Sequence, residues 1–168
     1  IVVNCTLNGE SGSNSSAINI SGGAQQVDVH MAAPADLSIS VTPSSWSQGS
    51  IWVGSSNETS GSYFNLSNSG NANIDVFVKA DNATNSTTSL TWTLSDTVGH
   101  DAFSLRYYKN GGSQWKNISY SYNYSDPFVS SLGSGSFQTF DLKVIMATST
   151  TDSDPLDFDI TFKSVASS

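Results

Sequence analysis

The stretch 73–80, Asn-Ile-Asp-Val-Phe-Val-Lys-Ala, decides the fold. In an extended chain Ile74, Val76 and Val78 point one way and Asp75, Phe77 and Lys79 the other. That period of two marks a half-buried antiparallel strand. The stretch 88–95 repeats it, with Leu90, Trp92 and Leu94 on one face and Thr91 and Thr93 opposite. Outward from these two, short apolar or alternating segments predict strands near 26–32, 36–42, 50–53 and 62–67, then 102–108, 114–123, 127–131, 136–148 and 157–165. Turns built from Asn68-Ser69-Gly70-Asn71, Asn110-Gly111-Gly112 and Gly133-Ser134-Gly135 separate several of them, because Asn and Gly tolerate positive φ. No segment carries a sustained helical period. Many short strands at such spacing predict an all-β chain, a β-sandwich over residues 27–168.

Ahead of that body stands Ile1-Val2-Val3-Asn4-Cys5-Thr6-Leu7, followed by a polar, glycine-rich stretch to about Gln26. Ile1, Val3, Cys5 and Leu7 line one face of this leading strand, and Val2, Asn4 and Thr6 the other. A half-apolar strand needs a sheet to join, either in its own body or, by β-augmentation, in another molecule. The tether reaches about 60 Å at full extension, whereas a body of this size is roughly 35–40 Å wide. A neighbouring copy is therefore within reach. Cys5 is the chain's single cysteine, so no intrachain disulfide forms, and at an inward strand position it reads as a small buried hydrophobe.

Composition narrows the function. Only 12% of the residues are charged, and the formal net charge is −8. Nucleic-acid binding is disfavoured, since it requires a basic face. No apolar run reaches the roughly 18 residues of a membrane span, so we expect neither a span nor a retained export signal. Nine positions match the acceptor Asn-x-Ser/Thr: Asn4, Asn14, Asn19, Asn57, Asn65, Asn82, Asn85, Asn117 and Asn123. Composition alone would give roughly four. The excess predicts an extracellular chain carrying N-linked glycans, with a surface hydrated by hydroxyls, amides and sugars.

Chemistry-bearing patterns are few. His30 lies in a strand pattern and His100 in a turn, and neither is placed by motif beside a nucleophile. One cysteine and two scattered histidines do not make a zinc site. Asp152, Asp154 and Asp157 form a weak candidate for Ca²⁺, without the glycine and spacing of an EF-hand loop. Trp46, Trp52, Trp92 and Trp115 read as core or interface anchors. We expect no enzyme, no cofactor and no bound metal.

Four stretches make up a recognisable pattern: Val27-Asp-Val-His-Met-Ala-Ala-Pro-Ala-Asp-Leu-Ser-Ile-Ser-Val-Thr-Pro, Phe64-Asn-Leu-Ser-Asn-Ser-Gly-Asn-Ala-Asn-Ile-Asp-Val-Phe-Val-Lys-Ala, Leu90-Thr-Trp-Thr-Leu-Ser-Asp, and Phe137-Gln-Thr-Phe-Asp-Leu-Lys-Val. Over about residues 27–166 the chain resembles the immunoglobulin-like or jelly-roll β-sandwich subunits of archaeal extracellular filaments, the thread and bundling-pilus proteins related to the TasA biofilm fibre protein. The resemblance implies a helical homopolymer of identical subunits, in which an N-terminal strand completes the sandwich of the adjacent copy. Residues Ile1 to Leu7 match that donor role by position and alternation. Two functions are thereby set against each other. One is a secreted structural filament subunit serving adhesion or biofilm, and the other a monomeric extracellular carbohydrate-binding or adhesin module whose first strand folds back.

Overall fold

The structure is a computed structural model and describes residues 5–7, 10–12, 34–85, 87–151 and 155–167. The chain divides into two compact units, Ile1–Ala33 and Pro34–Ser168. The strand expected over 26–32 lies outside the described residues.

In the first unit, β1 (Cys5–Leu7) pairs antiparallel with β2 (Glu10–Gly12), Cys5 opposite Gly12 and Leu7 opposite Glu10.

The second unit is all β, with no helix among the described residues. Its strands are β3 (Ile39–Thr42), β4 (Ser56–Glu58), β5 (Phe64–Asn68), β6 (Ile74–Ala80), β7 (Ala83–Thr84) and β8 (Thr91–Leu94). Then come β9 (Ala102–Lys109), β10 (Lys116–Asn117), β11 (Val129–Leu132), β12 (Phe137–Ile145) and β13 (Ile160–Ala166). The larger sheet has the order β3-β5-β12-β9-β8-β7, with β4 added on β12 and β10 on β9. All its pairings are antiparallel except β8 with β9. The smaller sheet is β11-β6-β13.

The two sheets meet over a core of alternating inward residues. Leu66, Ile74, Val76 and Leu105 have no exposed surface. Phe140 from β12, Phe162 from β13 and Phe128 just ahead of β11 form a triangle with ring centroids 5.1–5.5 Å apart, which ties one sheet to the other. Removing such a ring costs about 3–5 kcal/mol. Polar groups tie the chain before and along β13 to the margins of the larger sheet. Asp157 and Thr84 exchange backbone bonds at 2.8 and 3.0 Å, and Ser164 Oγ donates to the Leu37 carbonyl at 2.6 Å. Residue 157 thus holds the β7 edge of the larger sheet, and Ser164 the chain leading into β3.

Several expectations change in detail. The stretch 50–53 turns instead of pairing. Gly49 and Gly54 take φ of +60° and +77° on either side of it, and Trp52 is 85% exposed, not an anchor in this body. Of 114–123 only Lys116–Asn117 pairs; the rest is loop, fastened by Ile118 N–H donating to the Leu105 carbonyl at 2.8 Å. Phe77 lies on the outward face of β6 as expected, yet is only 5% exposed because Tyr124 packs on it at 4.9 Å.

Candidate functional site

Cys5, Thr6 and Leu7 lie on β1, whose ladder partner is Glu10–Gly12 of the same chain. An isolated two-stranded hairpin is at best marginal in water. Ile1, Val2, Val3 and Asn4 lie outside the described residues.

In the second unit the smaller sheet ends at β13, which pairs with β6 along Ile160 to Ala166 and has no second ladder partner among the described residues. Register puts Ile160 opposite Ala80, Phe162 opposite Val78 and Ser164 opposite Val76. On the central strand Ile74, Val76 and Ala80 are wholly buried, whereas Phe158, Ile160 and Phe162 are only partly covered. Apart from Val78, which is also only partly buried, the sheets enclose the row on β6, and they leave the residues of and just before β13 incompletely covered. Every second residue of β13 turns its N–H and C=O away from β6, so three or four residues present donors and acceptors to a strand placed alongside, over about 23 Å. An unpaired edge of this length is a template for pairing with another chain.

On the outer face of the same sheet, Lys163 Nζ donates to Tyr124 Oη at 3.0 Å and sits 5.3 Å from that ring, while Lys79 pairs with Asp81 at 3.2 Å. Both lysines are held above their ordinary range, Lys79 by its bond to Asp81 and Lys163 by its bond to Tyr124. Each ammonium already has a partner. The cation–aromatic cluster works as a cover for Phe77.

The structure sorts the glycan acceptors. Asn57, Asn117 and Asn123 are exposed. Asn65 is half-buried, with its Oδ1 enclosed and unpartnered. Asn82 Oδ1 accepts from Leu94 N at 2.9 Å, and Asn85 Nδ2 donates to the Pro155 carbonyl at 2.7 Å. Asn4, Asn14 and Asn19 lie outside the described residues. So do Asp152 and Asp154; Asp157 is exposed, and no group of three or more His, Cys, Asp or Glu able to hold a metal occurs among the described residues. His30 is likewise undescribed, and His100 is exposed with Nδ1 3.1 Å from Asp101.

Two cavities were not foreseen. One of about 470 Å³ lies among β9, β10 and the loop after them and is lined by Arg106, Tyr107, Trp115, Asn117 and Asn123 among others. The second, about 450 Å³, has Asp81, Tyr120, Asp157 and Asp159 in its wall. Burial and the nearby Asp126 push the Tyr107 phenol up to about 12, so it stays neutral in the first cavity at any physiological pH. The spacing Trp115-Lys-Asn117 was the available signal for that cavity, because it sets an aromatic and an acceptor amide on one side of an extended chain.

No helix among the described residues is long and apolar enough to cross a membrane. Neither protein-family models, curated proteins nor solved structures match the chain.

Proposed function

We propose that this chain is the structural subunit of a secreted, N-glycosylated extracellular filament serving adhesion or biofilm. Its body is an immunoglobulin-like or jelly-roll sandwich lacking one strand. Subunits join head to tail when residues 1–7 of one copy are laid along β13 of the next. The observation that carries this reading is the unpaired edge of β13 with its incompletely covered inward row. Seven residues there match seven in the donor segment. Ile1, Val3, Cys5 and Leu7 would complete the cover over Phe158, Ile160 and Phe162, contributing at most about 1.5–2 kcal/mol each. Backbone bonds along the edge add to that, and ordering the segment offsets part of it. The weak β1–β2 hairpin is a small obstacle to such an exchange. A head-to-tail contact of this kind does not close, so it propagates as a filament.

Deletion of residues 1–8 tests the reading. The expected result is soluble sandwich subunits and no filaments in electron micrographs. Filaments that persist after the deletion would overturn it. Intact chain that stays monomeric by size-exclusion chromatography at high concentration would favour the carbohydrate-binding module, for which the two cavities are the supporting observation.

A further inference from the structure

The 470 Å³ cavity falls within the size range of small-molecule sites, roughly 300–1,000 Å³. Trp115 immediately precedes β10, and Asn117 is the second residue of that strand. Two residues apart on an extended chain, their side chains lie on the same side, and both line the cavity. Tyr108 packs on the Trp115 ring at 5.7 Å and Lys143 Nζ lies 5.8 Å from its centroid, which fixes the indole in place. Arg106 lines the same cavity, and its Nε is buried without a hydrogen-bond partner. Asn123, a second acceptor position, stands on the same wall with its Oδ1 taken by Ser125 N at 3.1 Å. The Asn117 side chain is exposed and makes no hydrogen bond to the described residues.

An aromatic ring carries a negative face. The ligand that suits such a face is a pyranose, whose axial C–H groups are electropositive and whose hydroxyl or acetamido oxygens can accept from a guanidinium. We propose that this cavity is a saccharide seat filled by the chain's own N-linked glycan at Asn117. Its first sugar lies against Trp115 and presents an oxygen to the Arg106 guanidinium. The inference rests on the reading of the acceptor positions as glycosylated. Attachment requires an oligosaccharyl transferase and a diphosphate-activated sugar donor. The bond from Nδ2 to the anomeric carbon forms, the bond from that carbon to the diphosphate oxygen breaks, and the amide proton leaves to a base on the transferase. The glycan then acts as part of the fold, closing an opening between β9, β10 and the following loop.

The test uses native glycoprotein, the variants Asn117→Gln and Trp115→Leu, and the double variant. Mass spectrometry should find Asn117 modified. Loss of the Asn117 glycan should speed unfolding about tenfold in the parent and less than twofold in the Trp115→Leu background. In the native protein, protons of the first sugar should be shifted upfield by the indole ring in NMR spectra, a readout that survives even if the Trp115 variant fails to fold. An occupied Asn117 whose sugar protons keep their free-solution shifts, with equal glycan effects in both backgrounds, overturns the seat and leaves glycosylation standing. An unmodified Asn117 overturns both at this position. Saturable binding of the released oligosaccharide to Asn117→Gln, with native Asn117 unmodified, would assign the cavity to a free ligand and overturn the proposal.

Discussion

Asn68 offers the sharpest test of how the two sheets are fastened. It is 1% exposed at the end of β5, and its Nδ2 donates to the Ala72 carbonyl at 2.8 Å and to the Leu132 carbonyl at 2.9 Å. The second bond crosses from the larger sheet to β11 of the smaller one. Oδ1 accepts from Gly70 N at 3.0 Å, a group that also reaches the Ser38 carbonyl at 3.2 Å. Asn68→Leu keeps the volume and removes both donors, leaving one buried and one part-buried carbonyl bare at about 1–3 kcal/mol each. The sum, about 2–6 kcal/mol, is a large part of the 5–15 kcal/mol typical of a domain. In urea it should lower the midpoint by roughly 1–3 M. Asn68→Asp keeps the shape and turns a donor into an acceptor facing two carbonyls, so the carboxyl should stay protonated to an unusually high pH. Its folded-state pKa then lies above its unfolded value. The stability supplied by the protonated form is present below the unfolded value near 3.9 and lost as pH rises through the folded one. The gap between parent and Asn68→Asp, measured by tryptophan fluorescence in urea at each pH, should therefore widen from pH 4 to pH 7. A gap below about 0.5 kcal/mol at pH 7, or one that narrows as pH rises, would refute the assigned bonds.

Two other expectations concern carboxylates. Asp141, 8% exposed, accepts from Thr59 Oγ1 at 2.9 Å and from Ser62 N and Tyr63 N at 3.0 Å. Asp141→Ala should cost about 2–4 kcal/mol and Asp141→Asn less, because one acceptor oxygen remains; equal midpoints in urea for the parent and both variants would contradict this. Asp75 is held below its ordinary 3.8 by the N–H of Ser131 and the hydroxyl of Ser167. A lowered folded pKa means stability that is present above the ordinary value and lost as pH falls through the folded one. Asp75→Asn should flatten the acid limb of a stability–pH profile below about pH 4, and an unchanged limb would count against the two bonds.

The sequence by itself determined the strands whose two faces see different solvents. Over 73–80 and in 102–108 the apolar pattern and the structure agree to within a residue or so, since burial on one face leaves a mark at every second position. It also supplied the amphipathic heptad at residues 1–7 and the crowd of acceptor asparagines. The tertiary structure alone decided the rest. β4, Ser-Asn-Glu, is exposed at all three positions, so nothing in its side chains reports that Lys143 to Ile145 draw it into the sheet through the backbone. Phe77 breaks the pattern because a distant loop brings Tyr124 over it, and no local period encodes that cover. Trp52 and Trp92 are the same residue type in the sequence, yet one is 85% and the other 5% exposed. Which strands stand at the edges of the smaller sheet, β11 and β13, follows from strand order. That order is set by long-range packing, which a residue's neighbours in sequence do not specify.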